Sequence, residues 1–494
     1  MKKFLAGFNK HIYLWGTVFF LAVNLFQLTS MPIFNDEGIY LHWGREFYQG
    51  LGKGYPLMVA VDGKQTGVPL VYGLLQFLPI DPLLSVRFFS VAVSLVTFLA
   101  ILAVYKKVSE KRPDIFLVLL LTFSPYLLFF DRMALPDGLI AACYTLSVLI
   151  SLSLFEKPQI IKGLALGAVI ALGWWFKSTI LIILPPFLIL LVWRFRKKDF
   201  SSGRLIAAVL AGAMIFLLMV APIIFHPDYQ RMAFPESNRI YSFSEVLRQA
   251  PKLFTDKAPL YTAWFADYAT PLVFMSFLLG ILCLIKKKGY RPLFVFLVVP
   301  ILAEIFLVKI FSARYIVYVL PLFLLFSYEG FSFIKQKSWK YAFLFATLLS
   351  SMTVSLLLIF YPGRFYQLME KFPKGREDLY QYFDGWTSGY GVKEAADWIT
   401  KDAGERLSVV FVRDDSGNPE DAMYVFLRRD NIKVFPINLL GYFARQKDVR
   451  LYFVSRGVQM GGVEKYARLL KRYDKPFGNE YIGIYNIALP ESGS

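Results

Sequence analysis

The sequence predicts a polytopic α-helical membrane protein with a C-terminal α/β domain. The chain is 56% hydrophobic and only 18% charged, whereas about a quarter of the residues of a soluble domain are charged. Apolar runs of roughly 16 to 24 residues recur as far as residue 361 and match the roughly 20 residues that a membrane-crossing helix needs. The net charge of +18 is spread over short basic clusters between these runs, so it does not indicate a nucleic-acid partner.

The apolar runs predict about eleven transmembrane helices. Lys2, Lys3 and Lys10 precede the first run, which we interpret as a retained anchor rather than a cleaved signal peptide. Cys143 and Cys283 lie inside apolar runs and are interpreted as packing residues. The predicted spans are 12–30, 83–105, 115–130, 137–155, 162–176, 178–193, 205–225, 271–285, 292–308, 315–334 and 341–361.

Lysine and arginine concentrate in alternate loops, which predicts the orientation of the chain. The basic loops are 106–114, 156–161, 194–204, 286–291 and 335–340. Because basic loops stay on the cytoplasmic side of a cell membrane, the N-terminus is predicted to be cytoplasmic. The loops 31–82 and 226–270 and the tail 362–494 are then extracytoplasmic.

Two domains are predicted, a transmembrane domain over 1–361 and an extracytoplasmic domain over 362–494. The tail alternates β-rich runs with amphipathic segments, which is typical of an α/β domain. No internal repeat is evident, which disfavours a secondary transporter. The predicted strands and helices of the tail are strands 407–412, 432–436, 450–454 and 481–487 and helices 391–402, 419–429 and 463–472.

The first candidate site residues are Asp36 and Glu37, a few residues beyond the first span. A carboxylate near the membrane interface is partly desolvated, which can raise its pKa and suit it to accept a proton. The alternative is that both are solvated loop acids, because an Asp-Glu pair alone has little specificity.

The second candidate is the turn between the third and fourth spans, from Asp131 through Arg132 to Pro136 and Asp137. Pro136 suits the first turn of the fourth helix, and Asp137 would lie at the positive end of the helix dipole. A purely structural helix cap is therefore the alternative for Asp137.

Three further residues lie at the same predicted face of the membrane. Lys177 follows three aromatic residues at a short outer hairpin, and Arg314 and Tyr315 precede the tenth span. Arginine and lysine bind phosphate through charge-assisted hydrogen bonds. The alternative is that these side chains are snorkelling interfacial anchors.

At these residues the chain resembles GT-C glycosyltransferases of the protein O-mannosyltransferase (family 39) and aminoarabinose transferase superfamily. The resemblance covers about residues 10–361 and includes the acidic pair after the first helix, the Arg132 to Asp137 turn, Phe176-Lys177 and Arg314-Tyr315. The family often has a compact Lys-Pro-Pro-Leu motif where this chain has Lys64 and Pro69, which four residues separate.

The resemblance implies transfer of one sugar, with inversion, from a polyprenyl-phosphate donor to an acceptor hydroxyl on a protein, glycan or lipid. It implies Asp36 as the base, supported by Glu37, and Asp137 as a ligand of sugar or acceptor hydroxyls. The implied lipid-phosphate ligands are Arg132, Lys177, Arg314, Tyr315 and Lys64. A divalent cation could bridge Asp36 and Asp137, although no dense metal-ligand cluster requires one and the chain has three histidines.

Two other functions stay open. A flippase or transporter of lipid-linked glycans would carry ionisable residues at mid-membrane, whereas these cluster at the outer edge. A sensor or assembly protein would act through residues 362–494. The sequence does not identify the sugar or the acceptor. The loop 226–268 is expected to cover the site and set selectivity.

Overall fold

The computed structural model describes residues 11–50, 65–196, 202–227, 229, 239–371, 378–443, 448–457 and 464–488. The chain divides into two compact units. The first contains the described residues of Met1–Leu28, Pro56–Val68 and Arg87–Tyr361, and the second contains those of Thr29–Tyr55, Pro69–Val86 and Pro362–Ser494. The second unit thus includes two stretches of the first long loop as well as the tail. The predicted division of the chain at residue 361 stays a prediction.

Helices form at every one of the eleven apolar segments. The helices up to residue 224 are α1 (Ile12–Leu25), α2 (Asn35–Gly50), α3 (Gly67–Leu75), α4 (Pro82–Ser109), α5 (Ile115–Thr122), α6 (Pro125–Asp131), α7 (Pro136–Glu156), α8 (Ile160–Phe176), α9 (Leu184–Phe195) and α10 (Ser202–Ile224). Those that follow, up to residue 370, are α11 (Phe243–Tyr268), α12 (Pro271–Leu284), α13 (Arg291–Leu307), α14 (Leu320–Gly330), α15 (Lys337–Phe360) and α16 (Pro362–Glu370). Short 3₁₀ helices at Ser178–Ile183 and Ala313–Val319 lead into α9 and α14.

The protein is a multi-pass membrane protein, as predicted. Six helical segments in the described part of the chain are long and apolar enough to cross a membrane, or seven if the bent pair α11 and α12 forms one span. The predicted count of eleven is not confirmed, because several spans are short or broken. The third predicted span is divided into α5 and α6, which Pro125 separates at the N-terminus of α6.

Glycines allow the closest helix packing of the first unit. A Cβ on Gly163 of α8 would lie 1.8 Å from the carbonyl oxygen of Ala208, and one on Gly167 would lie 2.0 Å from that of Gly212. Small residues let membrane helices approach to backbone contact, where dispersion forces replace the missing hydrophobic driving force. α8 and α10 therefore pack in backbone contact along Gly163, Gly167 and Gly212, which we call the glycine seam.

The two long loops contain helices that the sequence pattern did not reveal. α2 and α3 lie in the first loop, and α11 accounts for 26 residues of the second. α11 begins with a capping box, in which Glu245 and Ser242 each accept a hydrogen bond from the other's backbone N–H. Its amphipathic sequence buries Leu260, Tyr261 and Trp264 on one side.

The tail of the second unit folds as the predicted α/β domain. Its five-stranded sheet has the order β2-β1-β3-β5-β4, with β1 parallel to β2 and β3, and with β5 antiparallel to β3 and β4. Val409, Phe411, Phe453 and Tyr485 form the core of one sheet face. The elements are α17 (Val392–Ala403), β1 (Ser408–Val412), α18 (Glu420–Phe426), β2 (Ile432–Pro436), α19 (Leu440–Phe443), β3 (Arg450–Arg456), β4 (Ala467–Asp474) and β5 (Tyr481–Ile487).

One predicted element of the tail is wrong. The helix predicted over 463–472 is instead a short 3₁₀ turn followed by the edge strand β4. The sequence of β4 contains Leu, Lys and Arg, which favour helices. Pairing with β5, from Ala467 opposite Ile487 to Asp474 opposite Tyr481, overrides that local preference.

Candidate functional site

Asp137 and Lys177 form a partly buried ion pair in the first unit. Asp137 lies in the first turn of α7 with 4% of its surface exposed, and Lys177 ends α8 in an extended conformation. The Lys177 Nζ donates a hydrogen bond to Asp137 Oδ1 at 2.7 Å. Asp137 Oδ2 is buried and has no hydrogen-bond partner among the described residues. The Asp137 carboxylate can therefore accept a further hydrogen bond, such as one from a ligand hydroxyl.

The ring of Tyr315 lies close to two cations, Lys177 and Arg314. The Lys177 Nζ lies 4.2 Å from the centroid of the Tyr315 ring, and the Arg314 guanidinium carbon lies 5.3 Å from it. The 3₁₀ helix that carries both residues is fixed by Tyr126, whose hydroxyl donates to the Ala313 carbonyl at 2.5 Å. Asp137, Lys177, Arg314 and Tyr315, four of the predicted site residues, are thus assembled in one place. We call them the cation cluster.

Glu304 is a buried acid beside this cluster that the sequence did not single out as a site residue. It is 2% exposed, and the Tyr318 hydroxyl is 3.5 Å from its Oε1. The charges of Lys177 and Lys257 act on the Glu304 carboxylate, whose Oε2 has no partner among the described residues. A signal for Glu304 existed in the sequence, because it is an acid inside the apolar run of α13.

Arg132 has a structural role, because its guanidinium binds backbone carbonyls. Its guanidinium donates to the carbonyls of Val23 at 3.2 Å and Gln27 at 2.7 Å, at the C-terminal end of α1. Carbonyls at a helix end lack partners within the helix, so Arg132 completes the hydrogen bonding of α1. Its assignment to lipid phosphate stays a prediction.

Asp36 and Glu37 lie in the first turn of α2, in the second unit. Asp36 is 8% exposed and Glu37 is fully buried, so the alternative of two solvated loop acids is wrong. Glu37 Oε2 accepts a hydrogen bond from the Phe34 N–H at 2.8 Å, which fixes the start of the helix. Glu37 thus fixes the helical turn in which Asp36 lies.

The C-terminal tail holds the start of α2 in place within the second unit. The Asn418 side chain donates to the carbonyls of Ile33 at 3.1 Å and Thr387 at 3.0 Å. Its backbone N–H donates to the Asn35 side chain at 3.0 Å. About two turns further along α2, His42 Nδ1 lies 2.5 Å from Asp421 Oδ1. The position of the acidic pair therefore depends on the α/β domain.

Two predictions cannot be placed in the structure. Lys64 lies outside the described residues. Within the described ranges, no group of three or more His, Cys, Asp and Glu side chains is arranged to hold a metal ion, and the metal question stays open.

Comparison with known proteins supports the resemblance noted in the sequence. Residues 68–226 match the family model of dolichyl-phosphate-mannose-protein mannosyltransferases. The fold is similar to that of ArnT from Cupriavidus metallidurans, both in the apo state and bound to undecaprenyl phosphate. In each case the TM-score is 0.60 and the identity 12%, over 94% of this chain and 97% of ArnT. No curated protein matches the chain in sequence with significance. The family match over residues 68–226 and the ArnT-like fold thus bear out the predicted resemblance to this group of membrane proteins.

Proposed function

We propose that the protein is an inverting glycosyltransferase that moves one sugar from a polyprenyl-phosphate donor to an acceptor hydroxyl on the outer face of the membrane. The family match supports a glycosyltransferase, and the ArnT structure with undecaprenyl phosphate supports a polyprenyl-phosphate donor. The cation cluster is the observation that carries the proposal, because it combines two cations suited to phosphate with a carboxylate oxygen that has no hydrogen-bond partner among the described residues.

The cation cluster suits the leaving group of this reaction. An ammonium group has three N–H donors, and the Lys177 ammonium donates to one carboxylate oxygen of Asp137. Its remaining donors and the Arg314 guanidinium can bind the oxygens of a lipid phosphate. A phosphate monoester is a stable leaving group, so stabilisation of its charge is the main requirement at this position.

The acids suit the other half of the reaction. The acceptor oxygen bonds to the anomeric carbon as the bond from that carbon to the phosphate oxygen breaks. The electron pair of that bond remains on the polyprenyl phosphate, and the hydroxyl proton passes to Asp36, which acts as the base. A single displacement of this kind inverts the configuration. Asp137 Oδ2 accepts a hydrogen bond from a sugar hydroxyl, as its unfilled acceptor capacity allows.

An assay in liposomes distinguishes transferase activity from flippase activity. Purified protein is given a panel of polyprenyl-phosphate sugars, and two quantities are measured: release of free polyprenyl phosphate, and movement of intact donor between leaflets. Donor-dependent release, with an inverted anomeric configuration in the product, is the expected result. Leaflet exchange of intact donor without release, even with envelope extract as acceptor, would establish the flippase instead.

A further inference from the structure

A cavity of about 290 Å³ lies within the second unit, away from the acidic pair at the start of α2. His42, Arg45, Glu46 and Gln49 line one wall. Their spacing along α2 places them on one face of the helix. The opposite wall is formed by the end of α18, the turn that follows it, and the edge strand β2. This volume is at the lower limit of the range for ligand pockets, so the cavity would hold a small ligand.

The charge of the cavity is predominantly positive. Among the described residues that line it, Arg45, Arg428, Arg429 and Lys433 are cations, and Glu46 and Asp430 are acids. Like charges that share a confined space repel each other. Burial, and then the like charge of Arg45, lower the pKa of Arg428. Burial also lowers the pKa of Arg45. The fold therefore maintains an arrangement of cations that a bound anion would stabilise.

Neutral groups hold the two arginines in position. Arg45 donates to the Tyr424 carbonyl at 2.6 Å, and Arg428 donates to Gln76 Oε1 at 2.7 Å and to the Val425 carbonyl at 3.0 Å. In the described part of the chain neither guanidinium forms an ion pair with a carboxylate. Each guanidinium has five N–H donors in a planar fork that fits carboxylate or phosphate. Donors therefore remain available in both side chains.

An aromatic stack gives the cavity a rigid wall. The His42 and Tyr424 rings are 4.0 Å apart and 8° from parallel. Asp421, 2.5 Å from His42 Nδ1, and Glu46, 3.5 Å from Nε2, fix the imidazole. The cavity thus combines fixed cations with a fixed aromatic edge, which suits an anionic sugar better than a free ion.

We propose that this cavity binds an anionic group, a carboxylate or a phosphate, carried on a sugar of the acceptor. The inference rests on the proposed function in one respect, that the bound molecule is an acceptor. The acceptors of the enzyme are then acidic glycans or glycolipids, and the α/β domain selects them by charge.

The test is equilibrium binding to the full-length protein in nanodiscs of zwitterionic lipid. The probes are glycerol 1-phosphate, glucuronate and uncharged glucose, and binding is followed by saturation-transfer-difference NMR at low and high salt. At least one anion is expected to bind saturably, more weakly at high salt, and glucose is expected not to bind. Binding of glycerol 1-phosphate identifies a phosphate-bearing acceptor, and binding of glucuronate identifies a carboxylate-bearing one.

Two variants locate the site. Arg45→Gln with Arg428→Gln should weaken anion binding at least about tenfold, the loss of roughly one charge-assisted hydrogen bond. Arg429→Gln with Lys433→Gln tests the same cavity through exposed side chains, whose replacement should not affect folding. Arg468→Gln on the opposite edge strand β4 is the matched control and should bind like the wild type.

Unchanged binding in both double variants, equal binding of glucose, or no saturable binding of either anion would overturn the proposal. Because the probes are tested without donor, this result is independent of transfer. If the protein binds an anion but releases no polyprenyl phosphate in the liposome assay, only the proposed function is contradicted. If it releases polyprenyl phosphate but binds no anion, only the proposed role of the cavity is contradicted.

Discussion

Lys177 donates to one oxygen of Asp137, while the other oxygen of that carboxylate has no partner among the described residues. The sequence identified both residues from their positions at helix ends, but it could not pair them. They are 40 positions apart, and only the packing of α7 against α8 brings them together. The alternatives of a helix cap for Asp137 and a snorkelling anchor for Lys177 do not account for an ion pair whose acid is almost fully buried.

Replacing Lys177 should weaken binding of the donor lipid. Lys177→Gln removes the charge while keeping a donor group, and charge-assisted hydrogen bonds contribute about 1.5–3 kcal/mol. Binding of polyprenyl phosphate, measured by native mass spectrometry or fluorescence titration, should therefore fall at least about tenfold. Lys107→Gln, which removes another ion-paired lysine of the first unit, is the control. Equal affinity in the two variants would exclude Lys177 from the phosphate site.

Lys475 predicts a pH dependence of stability. It is 4% exposed and donates to the carbonyls of Gly385 at 2.6 Å and Ser388 at 3.1 Å. Burial lowers the pKa of Lys475 to about 8, whereas an unfolded lysine titrates near about 10.4. Between these values the unfolded state binds more protons, so the contribution of Lys475 to stability rises as the pH rises from about 8 to about 10.

Thermal unfolding of wild type and Lys475→Met measures this effect. The stability of the wild type relative to the variant should increase across that pH range, by up to roughly 3 kcal/mol. A difference that stays constant would show that Lys475 keeps its ordinary pKa in the folded protein, and one that decreases with pH would show that its pKa is raised; either result would contradict the prediction.

Some secondary-structure elements could be predicted from the local sequence alone. Strands β1, β2, β3 and β5 and helices α17 and α18 were predicted within a few residues, because β-branched runs and amphipathic periodicity indicate them directly. α2 was not predicted, because its polar and charged residues, among them Asp36, Glu37 and Arg45, interrupt the apolar positions that would mark a span. Its position depends on contacts with residues near 387 and 418, far away in the chain. Such long-range contacts cannot be inferred from one sequence.

Asn418 is expected to act on the reaction through α2. Asn418→Ala removes the two hydrogen bonds that its side chain donates beside the acidic pair, at a cost of about 1–3 kcal/mol. As a positioning residue it should lower kcat and leave KM for the donor nearly unchanged. Steady-state release of polyprenyl phosphate measures both. Asn438→Ala, which removes an exposed hydrogen bond to Asp414, should change neither, and an unaffected kcat in Asn418→Ala would separate the tail from catalysis.

The close packing of α8 against α10 at the glycine seam can be tested by replacing a glycine with alanine. In Gly167→Ala the new Cβ would lie 2.0 Å from the Gly212 carbonyl oxygen, so the helices must separate, at a cost of at least about 1–3 kcal/mol. Gly203→Ala, with nothing within 4 Å of the added atom, should be neutral or slightly stabilising because alanine favours helices. Thermal stability in detergent distinguishes the two. Equal melting temperatures would show that the seam is not tightly packed.

The whole molecule combines a membrane helix bundle with an α/β domain whose unit also contains the helix of the acidic pair. Composition alone was enough to predict the multi-pass class, and the apolar runs located the helices of the bundle. The number of complete spans did not follow from hydropathy, because a break such as the one at Pro125 between α5 and α6 leaves the apolar run uninterrupted. The described residues of 29–55 and 69–86 fall in the same unit as a tail that begins at Pro362, and such a grouping by long-range contacts cannot be inferred from one sequence.

The most direct test of the account is release of free polyprenyl phosphate by wild type and Asp36→Asn in nanodiscs, across a panel of donor sugars. The two side chains have nearly the same shape, but asparagine cannot accept the hydroxyl proton. The account predicts donor-dependent release by the wild type and a loss of at least about a hundredfold in Asp36→Asn, in protein that melts at the wild-type temperature. Equal release by both proteins would contradict the role of Asp36, and no release with any sugar would contradict the transferase itself.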